Sequence, residues 1–92
     1  MIVEWDPAKA ASNLRKHSVD FREAVTALED PLSTTFPDFE HSLGERRFVT
    51  IGVSGSGRVL VVAHGDRRAA ARLISTRRAT PRERRFYEEG AQ

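Results

Sequence analysis

Between residues 58 and 85 the chain carries nine arginines against two acids, and no lysine. A planar guanidinium presents a fork of donors that grips a phosphate through two parallel hydrogen bonds, which a lysine ammonium cannot do. The first 45 residues reverse the balance, with four Lys or Arg against nine Asp or Glu, so the formal net charge of +2 hides two halves of opposite sign. A polyanion meeting the arginine-rich half is the first implication, and an arginine-rich solvated surface is the plain alternative. Within that half, Arg72-Leu-Ile-Ser-Thr-Arg77 alternates as a strand would, which puts its two arginines on opposite faces of an ideal strand. Both reach one site only if the strand is an edge, twisted or bulged, or if the final helix folds over its end.

Other groups could move protons. His17 is the natural candidate, since an imidazole's ordinary pKa is near 6.5, although a lone histidine at a helix end is more often a C-terminal cap. Lys16 beside it could act electrostatically, and Glu45 could serve as a base if burial raised its pKa. Tyr87 follows Glu83 by four residues, so both share one helical face, where the phenol could stack on a base or pack alongside Phe86. His41 belongs to a polar loop and His64 to a turn at a strand end. Three histidines so scattered, without ligand spacing, argue against a metal site, and no cofactor is expected. Ser54-Gly-Ser-Gly57 lacks the Lys-Ser/Thr and helix of a phosphate loop and reads as a hairpin turn.

The elements that must position these residues follow from local signals. Ile2 and Val3 favour a strand over residues 1–5, stopped by Asp6-Pro7, which also begins a helix through about residue 17. Asp20, with Glu23 at the third helical position, starts a second helix whose stripe is Phe21, Ala24, Val25 and Leu28, ended by Asp30-Pro31. A short strand over 33–36 precedes a polar turn. Strands follow at 46–53, 58–63 and 70–77, with Gly65-Asp-Arg-Arg68 turning the chain between the last two. Thr80, Pro81 and Glu83 form a capping box for a final helix over about 81–89, and the lone Trp5 is expected in the core. The order β-α-α-(β)-β-β-β-α predicts an α+β fold over residues 1–92 as one domain, with helices on one face of a largely antiparallel sheet. The other face is left free for a ligand. Absence of cysteine excludes disulfides, zinc–thiolate sites and thiol nucleophiles. Glu4 and Asp6 interrupt any signal peptide, and no segment is long and apolar enough to span a membrane, so a cytoplasmic protein is expected.

Three separated motifs, in order, resemble one family. They are Trp5-Asp-Pro-x-Lys9-x3-Asn13-x2-Lys16-His17-x-Val19-x-Phe21-x2-Ala24, then Glu45-x-Arg47 with Gly52, then Arg72-x-Ile-Ser75-x-Arg77-x-Ala79 with Glu83 and Tyr87. Together they are similar to the BrnT family of toxins. The resemblance implies a small RelE-like fold and ribonuclease activity without a metal. It also implies a type II toxin–antitoxin operon whose BrnA-type, ribbon-helix-helix, DNA-binding antitoxin joins the toxin in a hetero-oligomer. Serine at position 18 replaces the family's usual glycine. Metal-free RNA cleavage uses the substrate's 2′-hydroxyl as nucleophile, so the protein must position the phosphate, stabilise the phosphorane and move protons. Arg47, Arg72 and Arg77 are assigned to the phosphate, with at least one expected to pair with Glu45 or Glu83. Lys16, His17 and Glu45 are the other catalytic candidates, and Lys9, Ser75 and Tyr87 are expected at the substrate. The alternative reading is a nucleic-acid-binding module, or an inactive toxin homologue, acting with a protein partner.

Overall fold

Three capping side chains begin the three helices. Asp6 accepts from the Ala8 amide at 2.9 Å, Asp20 from Arg22 at 2.7 Å and Thr80 from Glu83 at 3.2 Å. Pro7 and Pro81 occupy first positions where a missing N–H loses no bond. The computed structural model describes residues 2–42 and 44–90; Met1, included in the expected first strand, lies outside them. The elements are β1 (Ile2–Glu4), α1 (Pro7–His17), α2 (Phe21–Leu28), β2 (Thr34–Pro37), a 3-10 turn at Phe39–His41, β3 (Arg47–Val53), β4 (Val59–Arg67), β5 (Ala70–Arg78) and α3 (Pro81–Glu88). This is the expected α+β order, with the short second strand present. The sheet runs β1-β5-β4-β3-β2, antiparallel except where β1 lies parallel to β5.

Residues opposite one another in a ladder share a face. On one face Leu60, Val62 and Leu73 meet Phe21, Ala24 and Ala27 of α2 and Val19 before it, with Trp5 set edge-on to Phe21 at 6.0 Å. Gly52 lets α2 approach, for a Cβ there would lie 2.5 Å from the Ala27 carbonyl oxygen. Asn13 of α1 is 5 % exposed and ties this layer to β5. Its amide donates to the Thr76 carbonyl at 2.9 Å and the Val19 carbonyl at 3.1 Å, while its oxygen accepts from the Thr76 N–H at 3.0 Å. Among the described residues β1 pairs with β5 at residues 70–72, short of Thr76, so Asn13 supplies the donor and acceptor that a longer neighbour would have given Thr76.

The expectation of helices on one face holds for α1 and α2 but not for α3. Ile51 and Val61 are buried on the second face, and there Phe86 of α3 meets Phe36 at 5.6 Å while the Tyr87 hydroxyl donates to Asp30 at 2.5 Å. The physical reason is apolar surface: β3 and β4 carry aliphatic side chains on both faces, so both need a cover. Two local signals also resolve differently. Glu23 does not return to its cap; its carboxylate instead accepts from Ser54 at 2.7 Å, from Ser56 at 2.6 Å and from Arg58, bracing the β3–β4 hairpin. Of the turn expected over 65–68, residues 65–67 are strand, and the chain reverses at Arg68 and Ala69, with φ of 51° and 67°. A left-handed conformation costs a residue with a Cβ about 1–2 kcal/mol, so glycine-based turn signals misplace this reversal. Ser18 similarly adopts φ 57° at the end of α1, where glycine is common.

Glu23 and Glu83 set the acid limit of the fold. Hydrogen bonds from Arg58 and Arg77 respectively hold their carboxyls down to about 2 from an ordinary 4.5. A depressed folded-state pKa gives stabilisation that is complete above the unfolded value and lost as pH falls toward the folded one. The melting temperature is therefore expected to be level above about pH 5 and to fall below it. Glu23→Gln and Glu83→Gln should each flatten that acid limb, as thermal melts across pH would record.

Candidate active site

Arg47 on β3, Gly65 on β4 and Arg72 on β5 stand side by side in the ladders, so both guanidiniums rise from one face with a bare backbone between them. Glu45, just before β3, lays its carboxylate in that gap; a Cβ on Gly65 would come 2.7 Å from the carboxylate carbon. Arg72 donates to Glu45 through Nη2 at 2.5 Å and Nε at 3.4 Å, and Arg47 Nε lies 3.9 Å from Oε1. Arg47 Nε is buried and has no hydrogen-bond partner, which leaves one inward-facing donor unused. The side chains of Glu45 and Arg72 are each 22 % exposed and that of Arg47 34 %, so the cluster is sheltered yet reachable. The Arg72 hydrogen bond, with lesser help from the charges of Arg47 and Arg67, keeps the Glu45 carboxyl below its ordinary range.

Arg77 reaches the same face. Val61 pairs with Arg77 and Gly65 with Arg72, four residues apart on β4 but five on β5, because the register shifts between Ala63 and His64. This bulge brings to one side two arginines that regular alternation would separate. They stand about 14 Å apart along the strand, too far for one phosphate but within one stretch of backbone. Ser75, opposite Ala63, lies between them. Arg77 is bound through both nitrogens to Glu83 at 2.7 and 2.9 Å, and Glu83 also closes the α3 cap by accepting from the Thr80 N–H at 2.8 Å. Both arginine–glutamate pairings foreseen for at least one arginine are thus formed.

The remaining candidates lie elsewhere. Lys16 and His17 are exposed in the last turn of α1, on the opposite face from Glu45, Arg47 and Arg72, so the structure does not bring them together with the arginines. α1 is amphipathic and its polar side turns away from the sheet. Lys9, at the other end of α1, lines a cleft shared with Arg72 at the β1 edge. Tyr87 is an anchor: burial, then the hydrogen bond to Asp30, push its phenol up to about 12. Tyr87→Phe is expected to cost about 1 kcal/mol, or ~4–8 °C in Tm, as thermal melts would record. His64 is a strand residue, hydrogen-bonded to Thr50 at 2.8 Å and stacked on Phe48, and burial lowers its pKa. Sequence reasoning missed Gly65, whose -Gly-Asp- context imitates a turn, and Arg67. Among the described residues no three His, Asp or Glu side chains are grouped to hold a metal, and no helix is long and apolar enough to cross a membrane.

An arginine-lined sheet face, with Glu45 between Arg47 and Arg72 and Glu83 on Arg77, on an α+β scaffold, is a surface for phosphates. Residues 5–83 match the family described as the ribonuclease toxin, BrnT, of type II toxin–antitoxin systems, and the chain belongs to that family of toxins, which act with a protein antitoxin. Among solved structures it is similar to the crystal structure of the Brucella abortus ribonuclease toxin BrnT, with a TM-score of 0.69 and 25 % identity over 87 % of this chain and 97 % of that one. No match was found among curated proteins.

Proposed function

We propose that the protein, as one domain over residues 1–92, is a metal-independent endoribonuclease toxin that cuts RNA in the cytoplasm and so inhibits translation and growth. The observation that carries this reading is the pair Arg47 and Arg72, facing each other across Gly65 around the Glu45 carboxylate. A scissile phosphate seated there takes over the guanidiniums, whose donors then converge on the charge that develops in the phosphorane. When Arg72 turns to the phosphate, Glu45 loses the hydrogen bond that holds its pKa down and becomes a better base. The O2′–H proton passes to Glu45, the O2′–P bond forms, and the P–O5′ bond breaks as O5′ takes a proton from solvent. The products are a 2′,3′-cyclic phosphate and a 5′-hydroxyl. Ser75 and Arg77, on the same face, hold the flanking backbone, and Lys9 extends the surface at the β1 edge. Lys16, His17 and Tyr87 take no part in the bond-breaking step. A BrnA-type antitoxin that binds DNA through a ribbon-helix-helix fold covers the basic face in a hetero-oligomer.

The test is purified protein with end-labelled RNA in excess EDTA. Cleavage to cyclic-phosphate ends is expected. A mobility shift with intact RNA would instead identify a non-cleaving RNA-binding homologue, and cleavage abolished by EDTA would remove metal independence from the reading.

A further inference from the structure

The β4–β5 hairpin reverses through two residues in a left-handed conformation, Arg68 and Ala69, held between the paired Arg67 and Ala70. Such a turn is most readily made by Asn-Gly, because positive φ crowds a Cβ against the backbone. Here the tip carries an arginine and an alanine, and strain of this kind is characteristic of segments under a functional constraint. The strained tip faces the cleft at the β1 edge. Lys9, Arg67, Arg68 and Arg72 line that cleft together with the carboxylates of Glu4 and Asp6, of which Asp6 is occupied in capping α1. Arg58, Arg72 and Arg77 each have a glutamate partner. Among the described residues Lys9, Arg67 and Arg68 have no ion pair at all. Three unpaired cations, Lys9, Arg67 and Arg68, against the one carboxylate of Glu4 that no cap or ion pair among the described residues engages, leave the cleft with an excess of positive charge that suits an anion.

We propose that the hairpin tip, through Arg67 and Arg68 with Lys9 of α1, is a second phosphate subsite that grips the RNA backbone one nucleotide beyond the Arg47–Arg72 cluster. The spacing fits: Arg67 pairs with Ala70, two residues along β5 from Arg72, a rise of about 7 Å, the scale of one nucleotide step. Arg72 borders both sites, lining the cleft and holding Glu45, so a strand laid across it stays in contact with protein from one phosphate to the next. Its ligand class is single-stranded RNA backbone, read by charge and not by base. The inference deepens the ribonuclease reading and rests on it.

The experiment compares wild type, Arg68→Asn with Ala69→Gly, and Ala69→Gly alone, binding a 2′-O-methyl RNA oligonucleotide that cannot be cut. Ala69→Gly alone relaxes the turn without removing a cation, so unchanged affinity with an equal or higher Tm is expected. The double variant installs the preferred turn; it should fold at least as stably, bind several-fold more weakly, and lose about 0.7 from the slope of log K against log salt, the share of one phosphate contact on a single strand. Affinity and salt slope equal to wild type in the double variant would overturn the subsite. So would a loss of antitoxin binding with RNA binding intact, since the tip would then face the acidic surface of a protein. A wild type that binds no RNA even at low salt would overturn the ribonuclease reading itself, an outcome distinct from binding that ignores Arg68.

Discussion

Arg72→Ala is expected to lower RNA cleavage about 10²-fold, the usual loss when one preorganised donor to a transition state is removed. The magnitude follows from its double duty. In the proposed mechanism Arg72 meets the scissile phosphate and also sets Glu45, whose pKa its hydrogen bond lowers until the phosphate draws it away. The fold should survive, because an ion pair still one-fifth exposed contributes only about 1 kcal/mol or less. Arg72→Lys keeps the charge but not the fork and should recover only part of the rate. Initial rates on labelled RNA, with thermal melts as the control, decide the matter. A folded Arg72→Ala protein that cuts at the wild-type rate would remove the cluster from the active site. Arg77→Ala is a less clean probe, since Arg77 also holds the glutamate that closes the α3 cap.

The second large effect concerns stability. Asn13→Ala removes all three hydrogen bonds by which one buried amide serves two backbone segments, leaving the Thr76 N–H and the Thr76 and Val19 carbonyls without partners. Each abandoned group costs about 1–3 kcal/mol, so a loss of at least about 3 kcal/mol is expected from a domain with about 5–15 in all. In a chain of this size that is a Tm lower by ~15 °C or more. Asn13→Asp keeps an acceptor for Thr76 N–H but opposes two carbonyls with a charge, and should be no better. A Tm within ~3 °C of wild type for Asn13→Ala would mean that water or a shifted α1 replaces the amide.

Much of this architecture was legible because its signals are local. Asp6-Pro7, Asp20 and Thr80-Pro81 with Glu83 announce helix starts that the chain then makes, and the unbroken apolar run Val59–Ala63 and the alternation from Arg72 to Arg77 announce strands. What the residues could not disclose depends on register between distant segments. The bulge opposite Ala63 and His64 belongs to the pairing of β4 with β5, and neither strand alone signals it. Gly65 carries the mark of a turn but serves as clearance for a carboxylate twenty residues earlier. Asn13 stands out in a motif, yet its partners, Val19 and Thr76, are set by how α1 crosses the sheet edge. Lys16 and His17 drew attention by residue type, and type says nothing about which side of a sheet a helix end will occupy.

At rest the centre of the site is already filled by a negative group of the chain's own, held by Arg72 and close to Arg47. An inorganic phosphate or a lone nucleotide must expel Glu45 with the strength of a single contact. A polymer competes differently: once its neighbouring phosphates are bound, the next one arrives at high effective concentration and displaces the carboxylate with little further loss of freedom. On the proposed reading the internal acid acts as a threshold that favours a phosphate polymer over small anions.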